Sequence, residues 1–201
     1  MDFGDSDKLK VLAIAGSPRR KGNTDTLLEK AVEGARSNTD TEIIKIILTE
    51  LCIAPCRHCD GCLHTGRCII DDDMQSIHNL LRKADRIILA SPIFFMSLGA
   101  QTKAMIDRCQ ALWVLKYVLK LPIAFDSQSK RKGLFLSVGG TGFSNLFEPS
   151  LAIIKSFFTV LDISLAGQVT YRKIDAAGDI LKHPEALQEA FNAGKALVNE
   201  K

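Results

Sequence analysis

Five apolar runs typical of buried strands alternate with five helical patterns along this chain of 201 residues. The strand-like runs are 10–15, 42–48, 86–90, 133–138 and 163–169, and the helical segments are 24–36, 73–84, 101–119, 147–161 and 184–199. Strands that alternate with helices form crossover connections, which build a parallel sheet covered on both faces. The sequence therefore predicts an α/β fold with a doubly wound, five-stranded parallel sheet.

The order of the strands is not fixed by alternation, but five-stranded chains of this length most often take the order 2-1-3-4-5. In that order the switch point lies between strands 1 and 3, so we expect ligands at the loops that follow them. The length suits one domain, residues 8–201, with a cysteine-rich insertion at about 52–73. Residues 1–7 are acidic and lack an apolar region, so we expect a short disordered leader rather than a signal peptide.

Composition limits the classes of partner and the cellular compartment that we expect for the protein. Lys and Arg number 26 against 23 Asp and Glu, a net charge of +3, so we expect no nucleic-acid partner. The longest apolar stretch, 87–100, is too short to span a membrane and is broken by Ser91-Pro92. We therefore expect a protein of the reducing cytoplasm, where six cysteines are ligands, redox groups or packed thiols rather than disulfides.

The loop after the first strand, GSPRRKGNTDT at 16–26, combines glycines for a tight turn with hydrogen-bond donors and the start of a helix. Free amide groups at a helix N-terminus attract anions. The loop contains no Gly-Lys-Ser/Thr and no G-x-G-x-x-G pattern, so a phosphate monoester fits better than a pyrophosphate. The alternative is a simple turn with a solvated basic tip.

We expect two further loops at the same edge of the sheet, where the carboxyl ends of the strands lie. The loop after the third strand begins SPIFF, and its aromatic residues Phe94 and Phe95 suit the cover of a flat ring. Both could instead belong to the core, and for Phe95 we weigh the two alternatives equally. The fourth strand ends in VGGTG at 138–142, where glycines allow close approach of the main chain to a ligand, or form a plain turn.

The motifs GSPRRKGNT, SPIFF and AMIDR together resemble the flavodoxin-like, NAD(P)H-dependent FMN reductase superfamily over nearly the whole chain. The resemblance implies a flavodoxin-like fold with FMN as cofactor. By position, the phosphate would be held by Ser17, Arg19, Gly22, Asn23 and Thr24. The ring would be flanked by Ser91, Pro92, Ile93, Phe94 and Phe95, with Gly139, Gly140 and Thr141 on its other side. Many members have Tyr or Trp in the SPIFF stretch, which weakens any role for a proton donor at Phe94.

The cysteines carry the most specific pattern, Cys56-x2-Cys59-x2-Cys62-x5-Cys68. Two consecutive x2 spacings bring three sulfurs round one centre, and Gly66 lets the chain fold back with the fourth. Four thiolates suit a [4Fe-4S] cluster in the manner of ferredoxins, and one zinc ion would satisfy the same count. Unmetallated thiols are the third alternative. Outside this set, the sequence predicts packed thiols at Cys52 and Cys109 and surface histidines at His58, His64, His78 and His183. The alternative is that Cys52, His58 or His64 replaces one of the four ligands.

The cysteine run and the DDDM that follows it, at 71–74, resemble the iron-sulfur flavoprotein family. This resemblance implies a flavin-dependent oxidoreductase that couples two-electron flavin chemistry to one-electron transfer, with FMN and a [4Fe-4S] cluster as cofactors. Ferredoxin or NAD(P)H would be the donor, and a quinone, peroxide or oxygen the acceptor. The alternatives are a cluster-free NAD(P)H-dependent FMN or quinone reductase and a non-enzymatic flavin or zinc module. No catalytic residue is assigned.

The position of the cysteine loop suggests an assembly. The loop follows strand 2, so we expect it on the same rim as the flavin loops. Strand 2 is an edge strand in the predicted order, however, and the flavin lies between strands 1 and 3. The cluster would then serve the flavin of a neighbouring subunit, which favours a homodimer or homotetramer. Trp113 and Tyr117 lie on one helix face, which indicates packing or, if exposed, a subunit contact.

Overall fold

A computed structural model of the protein describes residues 2–125 and 130–199. The main sheet consists of β1 (Leu9–Ala15), β2 (Thr41–Ile47), β3 (Arg86–Ala90), β6 (Lys132–Gly139) and β7 (Ser164–Arg172), and β4 (Ile93–Phe94) and β5 (Ser97–Leu98) form a hairpin. The helices are α1 (Asn23–Arg36), α2 (Met74–Lys83), α3 (Ala100–Arg108), α4 (Gln110–Trp113), α5 (Glu148–Val160) and α6 (Pro184–Asn199). Met1 of the predicted leader and residues 200–201 of the predicted domain lie outside the described residues.

The main sheet is parallel, with the order β2-β1-β3-β6-β7. This confirms the predicted order and the flavodoxin-like fold. The last residue of β1, Ala15, pairs with Ile47 of β2 on one side and with Ala90 of β3 on the other. The carboxyl ends of β1 and β3 therefore lie side by side at the switch point, where ligands bind in folds of this kind.

Each face of the sheet carries its own hydrophobic core. Within β1, Leu12 and Ile14 belong to one core, while Val11 and Ala13 belong to the other with helices α1 and α6. Because both faces of a central parallel strand are buried, the run is continuously apolar, which is why it could be recognised in the sequence.

One predicted helix differs in the structure. The sequence pattern predicts a continuous helix over 101–119, but α3 ends at Arg108, α4 follows after Cys109, and residues 114–118 form a π-helical turn. The amide of Leu119 donates to the carbonyl of Val114, one residue further back than in an α-helix. Apolar periodicity over so few residues does not distinguish the two spacings, so the interruption was missed.

Three other local predictions have clear outcomes. Cys109 is buried in the core, as predicted. His78 is only 6% exposed, which corrects the prediction of a surface residue. Its burial is possible because its Nε2 lies 3.1 Å from the main-chain oxygen of Arg108. Cys52 is exposed, so the prediction that it packs as a small apolar group was wrong.

The segment expected as a disordered leader makes contacts with the domain. Phe3 is buried in the core that includes Leu12. The amide of Gly4 and the hydroxyl of Ser6 donate to the carboxylate of Glu42, at 2.8 and 3.1 Å. Residues 3–6 thus pack on the domain, because an aromatic side chain and two polar groups find partners there. Within the ranges 2–125 and 130–199, no helix is both long and apolar enough to cross a membrane.

Candidate functional site

A cleft opens at the carboxyl ends of β1, β3 and β6, where the sheet topology predicts a ligand. Most of the predicted cofactor-binding residues line it, namely Ser17, Arg19, Gly22, Asn23, Thr24, Pro92, Ile93, Phe94, Gly139 and Gly140. Ser91, Phe95 and Thr141 do not line it. The three loops that the sequence analysis singled out therefore converge on one cavity.

The loop after β1 presents the start of helix α1 to this cleft. Gly22 is the N-cap residue, and no side chain caps the helix. The loop is tight, since a Cβ atom on Gly22 would lie 3.1 Å from the carbonyl oxygen of Arg19. The hydroxyl of Ser17 accepts the amide of Arg19 at 3.1 Å, and the side chain of Thr24 is nearly buried beside it. This end of the cleft can bind an anion through main-chain amides and hydroxyl groups.

The loop after β7 forms a further wall that the sequence analysis missed. Ile174, Asp175 and Ala177 line the cleft. The side chain of Asn23 donates to the carbonyl of Ala176 at 2.9 Å and accepts the amide of Ile180 at 3.2 Å. The Asn23 side chain therefore holds this loop rather than a ligand. The available signal was that β7 ends on the same rim as β1, β3 and β6.

The β4–β5 hairpin closes the opposite end of the cleft. Phe94 lines the cleft and is half-exposed, whereas Phe95 at the hairpin tip is fully exposed and belongs to neither the cleft nor the core. Both predicted environments of Phe95 were therefore wrong. Ser91 is buried, and its hydroxyl accepts the amide of Gly99 at 3.2 Å, so it fastens the hairpin to α3. Thr141 is exposed beyond the end of β6.

The turn of this hairpin has an unusual backbone. Phe95 and Met96 have φ angles of 48° and 64°. A two-residue hairpin turn of this hand normally uses Asn-Gly, because bulky residues seldom adopt positive φ. Strained residues of this kind concentrate at functional sites. The strain places Phe94 against the cleft while Phe95 faces solvent.

A second cavity is lined by all four predicted cysteine ligands, Cys56, Cys59, Cys62 and Cys68. The loop winds round it through residues with positive φ, including His58 and Asp60. Gly66 has a φ of 65°, and a Cβ atom there would lie 2.7 Å from Cδ1 of Leu115. The positive φ and the close approach of Leu115 favour glycine at this reversal, where the chain folds back towards Cys68.

The thiols of this cavity are free. Burial, followed by the charges that Cys68, Cys56 and Cys59 would carry as thiolates, raises the pKa of the Cys62 thiol. A cationic group among the sulfurs would favour the thiolate form of Cys62. Among residues 2–125 and 130–199, no three Cys, His, Asp or Glu side chains are grouped as the ligands of one metal ion. His58 lies at the cavity, whereas His64 and Cys52 do not.

Arg108, at the end of α3, lies behind the cysteines. Its side chain is fully buried, and its guanidinium contacts the carboxylate of Asp72, which is 7% exposed, at 2.7 and 2.9 Å. The same group donates to the carbonyls of Ala54 and Ile70, at 2.8 and 3.3 Å. Burial opposes the charge, but Asp72 and Cys68 outweigh it and raise the pKa of Arg108. Arg108 ends the AMIDR motif and Asp72 lies in DDDM, but neither motif indicates that the two residues pair.

The two cavities share no lining residue. Phe94 of the hairpin before α3 lines the first cavity, whereas Arg108 at the last turn of α3 lines the second. The cysteine loop starts after β2, and Arg108 binds the carbonyls of both its arms. The sulfurs therefore line a cavity of their own rather than the cleft.

Comparison of the sequence with known proteins adds two kinds of finding. Residues 9–147 match the family model described as NADPH-dependent FMN reductase. An iron-sulfur flavoprotein of Methanosarcina thermophila is 35% identical over 136 residues, which cover 66% of this chain and 64% of that protein. An iron-sulfur flavoprotein of Methanocaldococcus jannaschii is 40% identical over 105 residues, covering 52% of this chain and 53% of that protein. The chain thus spans about half to just under two thirds of these relatives, and the predicted resemblance is confirmed.

Solved structures agree in fold. An NAD(P)H:quinone oxidoreductase from Methanothermobacter marburgensis has a TM-score of 0.70 at 15% identity, covering 96% of this chain and 98% of that one. An FMN-dependent NADH-azoreductase from Bacillus anthracis in complex with FMN has a TM-score of 0.64 at 13% identity, covering 94% and 99%. At such identities the likeness concerns the fold alone.

Proposed function

The chain belongs to the NADPH-dependent FMN reductase family, and from this premise we propose that it is a flavin-dependent oxidoreductase with two redox groups. FMN would occupy the cleft at the switch point, and a [4Fe-4S] cluster the cysteine cavity. The observation that carries the proposal is the presence, in one domain, of a cleft with an uncapped helix N-terminus and a separate cavity lined by four free thiols.

The cleft suits FMN at both of its ends. Ser17, Arg19 and Thr24, with the amides of α1, would hold the phosphate. At the other end, Gly139, Gly140 and Phe94 line the cleft. Packing requires both glycines, since a Cβ atom on Gly139 would lie 2.6 Å from Cδ2 of Leu146, and one on Gly140 would lie 3.0 Å from Cγ of Asp175. The two glycines and Phe94 are suited to the two faces of a flat ring. The bound flavin would supply hydride and single-electron chemistry.

The cysteine cavity suits a cluster better than a single zinc ion. Zinc requires its four sulfurs at about 2.3 Å from one centre, and the described thiols surround a cavity without such convergence. A multi-iron cluster takes its thiolates at separate irons, so they stand further apart. The remaining lining includes Leu63, Ile69 and Val114, and apolar walls limit solvent access to a redox centre.

The pairing of a flavin with a cluster supports a converter between two-electron and one-electron transfer. Ferredoxin or a reduced nicotinamide would be the donor, and a small molecule such as a quinone, peroxide or oxygen the acceptor. Because the two cavities share no lining residue within one chain, electron exchange between subunits of a homodimer or homotetramer fits this arrangement. The free cysteines fit a location in the reducing cytoplasm.

A second candidate is a cluster-free NAD(P)H-dependent FMN or quinone reductase, whose thiols carry no iron. The exposure of Cys56 and Cys59 favours it, since open thiols also suit redox exchange. It shares the flavin cleft with the first candidate. Iron and sulfide content therefore separates the two candidates, whereas flavin content does not.

The decisive experiment is one preparation made without oxygen and analysed for iron, acid-labile sulfide, flavin and optical spectrum. We expect about four irons and four sulfides per chain, as a [4Fe-4S] cluster requires, together with FMN. Cys59→Ala should lose iron and sulfide while FMN stays bound. The matched control is Cys52→Ala, which removes an exposed thiol outside the cavity and should keep both groups. Protein that holds FMN but no iron would establish the second candidate, and protein without FMN would refute both.

A further inference from the structure

The five N–H donors of the Arg108 guanidinium are unequally used. Two donors on Nη1 meet the carbonyl of Ala54 and one oxygen of Asp72. Two on Nη2 meet the carbonyl of Ile70 and the other oxygen of Asp72. Arginine has five such donors, and the fifth is on Nε. Within the described part of the chain, Nε is buried and has no hydrogen-bond partner.

An unpaired buried donor is uncommon in folded proteins, and each case calls for an explanation such as a bound water or ion. Arg108 lines the cysteine cavity together with Cys68. The four N–H groups on Nη1 and Nη2 are occupied by the arms of the loop and by the carboxylate. The remaining donor is therefore the one available to a group bound among the sulfurs.

The four occupied donors also fix the geometry of the loop. Ala54 precedes the first ligand cysteine by two residues, and Ile70 follows the last by two. Asp72 strengthens this arrangement, because its Oδ2 also accepts the amide of Ala54 at 2.9 Å. One rigid, planar side chain thus joins both arms of the cysteine loop to helix α3.

We propose that Arg108 is a positioning residue for the cluster, which holds both arms of the cysteine loop and directs its Nε–H at a cluster or cysteine sulfur, raising the cluster's reduction potential. This inference rests on the proposed function, since it requires a cluster in the cysteine cavity. A hydrogen bond to sulfur stabilises the more negative, reduced state and so raises the potential. The carboxylate of Asp72 offsets the charge of Arg108, which leaves the direction of the N–H as the main influence.

The test compares the cluster's potential in the wild-type protein and in Arg108→Lys, with chemical reduction followed by electron paramagnetic resonance. Lysine keeps the positive charge opposite Asp72 but has no Nε–H. We expect the ratio of reduced to oxidised cluster at a fixed potential to fall about tenfold, which is 59 mV for a one-electron couple. The flavin potential, measured in the same titration, should stay unchanged.

Arg82→Lys is the matched control. Arg82 does not line the cysteine cavity, and its Nε donates to the carbonyl of Ile123 at 2.8 Å, so the same chemical change should leave the cluster's potential unaltered. A purely structural role for Arg108 would lower the amount of cluster without shifting the potential of the cluster that remains. An unchanged potential in Arg108→Lys with intact cluster would overturn the inference.

A second measurement does not depend on any variant. Wild-type protein labelled with 15N-arginine should show a hyperfine coupling between the reduced cluster and one arginine nitrogen. This coupling should persist in labelled Arg57→Lys protein, which would show that it does not come from Arg57, the other arginine that lines the cavity. Absence of the coupling in a protein that contains the cluster would overturn the role of Arg108 alone. A wild-type protein without iron and sulfide would instead overturn the proposed function, before any variant is compared.

Discussion

Arg108 and Asp72 form a two-point ion pair in the interior of the protein, with Nη1 2.7 Å from Oδ2 and Nη2 2.9 Å from Oδ1. The pair joins the last turn of α3 to the segment that precedes α2. Although burial opposes the charge, hydrogen bonds from Arg108, Ala54 and Met74 hold the pKa of Asp72 below its usual value. The carboxylate is therefore charged at neutral pH and compensates the guanidinium.

Removal of this carboxylate should destabilise the fold strongly. Asp72→Ala leaves the Arg108 charge buried without a partner, and such a change typically costs about 3–5 kcal/mol. Urea unfolding at pH 7 measures the loss. The control is Asp107→Ala, which removes the exposed partner of Lys103 and should cost no more than about 1 kcal/mol. Equal losses in the two variants would contradict the special role of the buried pair.

The sheet could be predicted because its signals are local and repeated. Each strand is a compact apolar run, and alternation with helices fixes parallel pairing. The residues of the cleft followed from the ends of those strands. The wall at 174–177 did not, because Asn23 holds it through contacts more than 150 residues apart in the sequence, which no local pattern reveals.

The cysteine site was predictable in composition but not in position. The spacing of Cys56 to Cys68 brings the thiols into one cavity, since short loops keep their residues close. The position of that cavity depends on Arg108, which binds the carbonyls of both arms of the loop at the end of α3. A buried arginine is exceptional, and sequence reasoning treats charged residues as exposed by default. The ion pair of Arg108 and Asp72 could therefore not be predicted from the sequence.

The phosphate end of the cleft should depend on Arg19 and not on its neighbour. Arg19 lines the cleft, whereas Arg20 is exposed, pairs with Glu50 and does not line it. Hydrogen bonds to charged groups contribute about 1.5–3 kcal/mol, so Arg19→Ala should weaken FMN binding roughly tenfold to a hundredfold. Fluorescence titration of the apoprotein with FMN measures the dissociation constant. Arg20→Ala should leave it unchanged, and a similar weakening in both variants would indicate a diffuse charge effect.

The two phenylalanines of the hairpin should likewise differ in their effect on FMN affinity. Phe94 faces the cleft, while Phe95 stands in solvent. Phe94→Ala removes apolar contact with the flavin ring, and we expect FMN affinity to fall about fivefold to tenfold, or roughly 1 kcal/mol. Phe95→Ala should leave the affinity within a factor of two. If Phe95→Ala weakens binding and Phe94→Ala does not, the hairpin closes over the ring in another arrangement.

Acid should destabilise the protein through His78. Burial, the largest influence, lowers the pKa of His78 to about 4 from 6.5. The folded state therefore binds fewer protons than the unfolded state between these values. The stabilising contribution of the neutral ring is complete above pH 6.5 and is lost as the pH falls towards 4. The pKa difference corresponds to about 3 kcal/mol over that window.

The measurement is urea unfolding of the apoprotein at several pH values from 7.5 to 4. His78→Gln replaces the ring by a group that does not titrate, so the slope of unfolding free energy against pH should decrease below pH 6.5. His183→Gln is the matched control, because it makes the same substitution at a histidine whose side chain is 40% exposed beside Glu185. The two variants should differ most near pH 4, where the wild-type ring is half protonated in the folded state. Identical slopes for wild type and His78→Gln would show that folding does not oppose protonation of the imidazole. That result would contradict the burial of His78 against the carbonyl of Arg108.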